Sequence, residues 1–181
     1  MVPGVTSVSA VRSTLLALLF SLVTLGIGAA IGYVSLRGSV DQGWVSSPDS
    51  APSFATIFIT NVGTAFLLFS GVVTVGISAL FGGLALGGFI GATFTVAAGT
   101  VGTAAAAGSI GWYAPLEFAG FIVAAAGGFS PAVGVLLRKS GESRRAAYVS
   151  ALPRAGLFAL VSVGMLGIAA GVEALIIGGR S

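Results

Sequence analysis

The stretch FATIFITNVGTAFLLFSGVVTVGISALFGGLALGGFIGATFTVAAGTV, residues 54–101, contains no charged side chain. A helix needs about 20 consecutive apolar residues to cross the hydrocarbon core of a bilayer, so this stretch is long enough for two crossings. Helices built from it would be apolar on nearly every face, which is typical of segments surrounded by lipid. The stretch therefore predicts an integral membrane protein.

The composition of the whole chain indicates the same class. Of its 181 residues, 56% are hydrophobic and 7% are charged, and the mean hydropathy is +1.08. A soluble domain carries about 25% charged residues. We therefore predict an all-α, polytopic transmembrane helical bundle, formed as a single integral membrane domain by residues 1–181.

Apolar runs of spanning length predict five membrane-spanning helices, at about residues 13–34, 54–79, 82–101, 112–137 and 153–178. We place the turn between the second and third helices near residues 79–83, although no charge marks it. Residues 98–111 are rich in alanine, glycine and threonine, and they either extend the third helix or form a loop. A polar loop with Asp41 and Asp49 separates the first two spans.

Basic residues predict the orientation of the chain. A basic loop is expected between spans four and five, with Arg138, Lys139, Arg144, Arg145 and Arg154. Short loops rich in Lys and Arg stay in the cytoplasm, so five spans put the N-terminus inside and the C-terminus outside. The loop would contact anionic lipid or a cytoplasmic partner such as an ATPase, or would only orient the chain. Clustering of this kind does not indicate a nucleic-acid partner.

Glycines at four-residue spacing predict close helix packing, because small residues on one face let two helices approach each other in lipid. These glycines are Gly28 and Gly32 in the first span, Gly83, Gly87 and Gly91 in the third, and Gly167 and Gly171 in the fifth. The spacing does not by itself indicate dimerisation; separately, we expect other membrane subunits or a second copy of the chain as partners.

Three polar side chains lie inside the predicted spans: Asn61, Glu117 and Glu173. At a rise of 1.5 Å per residue, each lies about 8 to 10 Å from the same membrane surface. A carboxylate that faces lipid is costly, so both glutamates should turn inward and form one intramembrane polar cluster with Asn61. The cluster could join helices, handle protons or perform chemistry, in which case Glu117 and Glu173 are the candidate catalytic residues.

The absence of two residue types limits the possible chemistry. The chain has no cysteine and no histidine, so thiolate nucleophiles, Ser-His systems and the usual zinc sites are excluded. No glycine cluster has the context of a phosphate-binding loop. We therefore expect no metal and no cofactor, and we favour a non-catalytic membrane subunit over an enzyme.

Three blocks of sequence occur in order: NVGTAFLLFSGVVTVGISALFGGLALGGFIG (61–91), YAPLEFAGFIVAAAGGF (113–129) and GMLGIAAGVEALI (164–176). Together they resemble the signature blocks of the stage II sporulation protein M family. Asn61, Glu117 and Glu173 match the asparagine and the two glutamates of those blocks. The family's Pro-His-Gly stretch is replaced here by residues 114–116, Ala-Pro-Leu, which lack the histidine.

The resemblance implies a multi-pass membrane subunit that scaffolds or forms part of an export or cell-envelope-remodelling complex. Relatives act with cell-wall hydrolases in endospore engulfment, accompany ABC-transporter ATPases, or belong to gene sets for circular bacteriocin maturation and export. Two alternatives stay open. One is a proton-coupled transporter or permease-like subunit that works with an ABC ATPase, and the other is an intramembrane carboxylate-pair peptidase or peptide ligase.

Overall fold

The computed structural model describes residues 5–38 and 52–178. Asp41 and Asp49 of the polar loop lie outside the described residues. The helices are α1 (Val5–Leu36), α2 (Phe54–Phe69), α3 (Ile77–Val101), α4 (Thr103–Ile110), α5 (Ala114–Leu136) and α6 (Arg144–Gly178). All except α4 are long and apolar enough to cross a membrane. The predicted all-α bundle of about five spans is therefore confirmed.

Helix α5 lies at the centre of the bundle. In its most apolar window 61% of the residues are buried by other helices, against 22% to 33% in the other four spans. It packs against α1, α2, α3 and α6. The run AAAGG at residues 124–128 makes this possible, because small side chains let neighbouring helices approach on several sides at once.

Helices α1 and α3 pack backbone to backbone. A Cβ atom added at Gly28 would lie 2.3 Å from the carbonyl oxygen of Leu84, and one added at Gly91 would lie 2.0 Å from that of Ala29. Gly87 makes a similar approach to the backbone of α1, and Gly83 faces the side chain of Thr24. These glycines of α3 therefore lie at a contact that no larger residue could form without moving the helices apart.

The glycines predicted for close packing in the fifth span behave differently. A Cβ atom at Gly167 would be 3.5 Å from the ring of Phe58, which is an ordinary contact, and one at Gly171 would meet nothing within 4 Å. The prediction of a close approach within the chain is therefore wrong for these two residues. The Phe58 ring lies between the helices and keeps α2 away from α6 at Gly167.

The turn between α2 and α3 lies earlier than predicted. A 3-10 turn, Ser70–Val72, follows α2, and α3 begins at Ile77. Val75 has a φ of 53° and Gly76 a φ of 91°, so the chain reverses through two residues in the left-handed region. Residues 79–83 are helical. The reversal falls at Gly76 because glycine adopts positive φ without steric cost.

Two other boundaries also differ from the prediction. Residues 98–111 follow neither alternative throughout: α3 continues to Val101, Gly102 interrupts it with a φ of 86°, and a separate short helix, α4, follows. The last span begins at Arg144 and not near residue 153. The Ser143 hydroxyl accepts a hydrogen bond from the Ala146 amide at 3.1 Å and so caps the start of α6.

Candidate functional site

The alternating directions of the helices gather polar residues at two opposite ends of the bundle. We call one the basic end: it contains the start of α1, the α2–α3 turn and the α5–α6 loop. Tyr148 joins the start of α6 to the α2–α3 turn, because its hydroxyl donates a 2.5 Å hydrogen bond to the Val72 carbonyl. We call the other the cavity end: it contains the start of α2, the end of α3, α4, the start of α5 and the end of α6.

A cavity of about 930 Å³ opens at the cavity end, with lining residues from all six helices. Asn61 of α2, Glu117 of α5 and Glu173 of α6 all line it, so the structure brings together the three polar residues singled out in the sequence. Six aromatic side chains form much of the remaining wall: Tyr33, Phe89, Phe94, Tyr113, Phe118 and Phe121. An apolar wall with a few polar groups is typical of a small-molecule site.

Asn61 reaches this cavity because it lies on the buried face of α2. The buried residues of that helix, Ile57, Asn61, Ala65 and Leu68, recur at helical spacing. Asn61 is only 8% exposed, and its amide nitrogen Nδ2 is buried without a hydrogen-bond partner. A buried donor in this condition costs about 1 to 3 kcal/mol, which a small shift towards the Glu117 carboxyl group, or towards an acceptor that displaces it, would recover.

Glu117 lies in the first turn of α5, where the positive end of the helix dipole favours a carboxylate. The Asn61 amide approaches the Glu117 carboxyl group, but without the geometry of a hydrogen bond. Glu173 is close enough for its charge to act on Glu117. Two ionised carboxylates repel each other, so a cation or a proton between them relieves the repulsion.

Sequence reasoning missed most of the cavity wall. Thr60 and Thr64 line the cavity with Asn61, and Ala106 and Ser109 of α4 line it as well. The signal for the first pair was available, because polar residues at positions 60, 61 and 64 share one helix face. No comparable signal exists for α4, which is too short to show a period.

The predicted basic loop is only partly a loop. Arg138 and Lys139 lie between α5 and α6, but Arg144, Arg145 and Arg154 belong to α6, because the Ser143 cap starts that helix before them. All five are nevertheless at the basic end, together with Arg12. Within residues 5–38 and 52–178, no three acidic side chains come together as possible metal ligands.

No family model matches the chain, and searches of curated proteins and of solved structures found no similar protein. The likeness to the stage II sporulation protein M family therefore rests on the three sequence blocks alone.

Proposed function

We propose that the chain is a multi-pass membrane subunit without chemistry of its own, which binds an apolar amine in the cavity formed around Asn61, Glu117 and Glu173. Following the three-block resemblance, we place this subunit in an export or cell-envelope-remodelling complex. One observation carries the proposal: the carboxyl groups of Glu117 and Glu173, with the amide of Asn61, line one cavity of about 930 Å³ whose remaining wall is largely apolar and aromatic.

The state of Asn61 favours ligand binding over a purely helix-joining role. A polar cluster that only joins helices gains its stability from hydrogen bonds made inside the protein, and buried polar groups are nearly always paired. Here the donor of Asn61 is unpaired. The contact between α5 and α6 is made elsewhere, where Leu166 packs 2.9 Å from the position that a Cβ atom would take at Gly120.

The chemistry of the wall indicates the ligand class. Two carboxyl groups attract a positive charge, and aromatic faces add favourable interactions with an ammonium group. The apolar wall suits an alkyl or peptide body, and the Asn61 amide can donate to an oxygen of the ligand. A primary amine on an apolar chain satisfies the requirements of charge and apolar surface, and the amino end of an apolar peptide also supplies a carbonyl oxygen that can accept from the Asn61 amide.

The test compares dodecylamine with dodecanol, which has the same chain without the charge. The full chain is unfolded by heat in a neutral detergent with each amphiphile, as wild type, as the Glu117→Gln/Glu173→Gln double variant, and as Glu142→Gln. The last variant is a matched control, because Glu142 lies at the basic end.

We expect the amine, and not the alcohol, to stabilise wild type and Glu142→Gln, by about 1.4 kcal/mol at ten times the dissociation constant. The double variant should lose this stabilisation. Equal stabilisation of all three proteins by the amine would refute binding in the cavity and would leave the cluster as a device that joins helices.

We further propose that the basic end faces the cytoplasm, which puts the N-terminus inside and the C-terminus outside. Six of the eight basic residues of the chain lie at this end: Arg12, Arg138, Lys139, Arg144, Arg145 and Arg154. This distribution follows the positive-inside rule.

Labelling of single cysteines tests the orientation, since the chain has no native cysteine. A membrane-impermeant maleimide should label Ser109→Cys in intact cells, and Ser140→Cys only after permeabilisation. Both serines are exposed and lie at opposite ends of the bundle. The reverse pattern would show the opposite orientation.

A further inference from the structure

We propose that the basic end contains a phosphate-binding site, formed by α1, the α5–α6 loop and α6, whose ligand is the phosphate group of an anionic lipid. The site is a cleft of about 1060 Å³. Four cationic side chains line it: Arg12 from α1, Arg138 and Lys139 from the loop, and Arg154 from α6. This proposal does not depend on the cavity at the opposite end.

The charges of the cleft are not balanced by the protein. Glu142 is the acidic residue of the lining, and its carboxylate is occupied as an acceptor for the backbone amide of Lys139 at 3.2 Å. In the part of the chain that the structure describes, none of the four cations has a carboxylate partner. Four positive charges facing one carboxylate leave an excess that a phosphate group can neutralise.

Hydrogen bonds to α1 hold the guanidinium group of Arg154 in one position. Its guanidinium Nη1 donates to the Ala10 carbonyl oxygen at 3.2 Å and to the Ser13 hydroxyl. These contacts fix the arginine of α6 against α1. Its Nε is buried and makes no hydrogen bond, so the guanidinium is held in place through Nη1. A preorganised guanidinium loses less entropy on binding a phosphate oxygen.

The surroundings of the cleft favour a lipid phosphate over a dissolved one. Leu137 and Pro153 add apolar surface beside the cations. The cleft lies where α5 ends and α1 and α6 begin, which is the level of the lipid headgroups for helices of this length. Basic groups between helices at this level are typical of headgroup binding.

The experiment measures lipid binding to the full chain by native mass spectrometry in a neutral detergent. The probes are phosphatidylglycerol and phosphatidylcholine, and the Arg138→Gln/Lys139→Gln variant removes two charges from the cleft. The control is Arg144→Gln/Arg145→Gln, which removes the same charge nearby from residues outside the cleft lining. Both loop residues are exposed, so the test variant should fold normally.

We expect wild type and the control to prefer phosphatidylglycerol, and the cleft variant to bind it about 25-fold to 30-fold more weakly. This estimate takes about 1 kcal/mol for each basic residue near an anionic headgroup, with 1.4 kcal/mol as a factor of ten. Competition by inorganic phosphate would show that the phosphate group alone is recognised, and lack of competition would show that the lipid body is needed. An equal loss in both variants, or no preference between the two lipids, would overturn the proposal.

Discussion

The backbone contact between α1 and α3 makes a sharp prediction for Gly28→Ala. The added Cβ atom would lie 2.3 Å from the Leu84 carbonyl oxygen and 3.0 Å from the Gly88 amide nitrogen. Real Cβ contacts are essentially never shorter than 3.0 Å, so the helices must separate by at least 3.0 − 2.3 = 0.7 Å. No side-chain rotation can relieve the contact, because the obstructing atoms belong to the backbone.

The cost follows from what this separation does to the rest of the contact. A gap of 0.5 to 1 Å loses about a quarter to a half of the dispersion energy of each atom pair. Overpacking in a close-packed interior typically costs about 1 to 3 kcal/mol. Because Gly32, Gly87 and Gly91 make similar backbone approaches along the same two helices, we expect a loss of about 2 to 3 kcal/mol.

Gly26→Ala is the matched control, since it makes the same change on the same helix where a Cβ atom would meet nothing within 4 Å. We expect the free energy of unfolding of this variant to stay within about 0.5 kcal/mol of wild type or to rise slightly. The assay is reversible unfolding by sodium dodecyl sulfate in mixed micelles. If Gly28→Ala and Gly26→Ala unfold within about 0.5 kcal/mol of each other, the proposed backbone contact is wrong.

Four further substitutions, one of them a control, are predicted for the same unfolding assay. Leu166 is 0% exposed and Leu160 is 74% exposed. Leu166→Ala should lower the free energy of unfolding by about 2 to 5 kcal/mol, because removal of this core side chain leaves a cavity. Leu160→Ala should lower it by less than about 0.5 kcal/mol. Tyr148→Phe should cost about 0.5 to 1.5 kcal/mol by removing the hydrogen bond to Val72, and an unchanged stability would show that this bond is unimportant. Gly76→Ala should cost about 1 to 2 kcal/mol, because its φ is positive and an aromatic carbon would lie 3.2 Å from the new Cβ; a more stable variant would contradict the turn geometry.

The five spans could be predicted from sequence because the thickness of the bilayer sets their length and composition. The turn between α2 and α3 could not, since hydropathy does not change where the chain reverses inside an apolar run. The chain reverses there through the positive φ of Val75 and Gly76, just before α3 begins, and Gly76 is one of 29 glycines in the chain. Only the three-dimensional contacts distinguish it from glycines that serve helix packing, such as Gly87.

For the candidate site, sequence reasoning placed Asn61, Glu117 and Glu173 at one depth, because α2 and α5 begin at the end of the bundle where α6 finishes. The cavity itself could not be predicted in this way. Its volume depends on how aromatic side chains from different helices pack around the three residues and on the residues that α4 adds to the wall. The contact of Arg154 with α1 could not be predicted either. It joins Arg154 to Ala10, which lies 144 positions earlier in the sequence and shares no sequence pattern with it.

The helices do not pack in the order in which they are synthesised, and α2 shows the difference. Helix α2 packs mainly against α5 and α6, which are synthesised after it. The ribosome must add 173 − 61 = 112 residues between Asn61 and Glu173, which takes roughly 5 to 20 seconds at about 5 to 20 residues per second. For the first 117 − 61 = 56 of these residues the Asn61 amide has neither carboxyl neighbour of the finished cavity, and until Glu173 is made it can have only that of Glu117. The helix made second is therefore among the last to be packed.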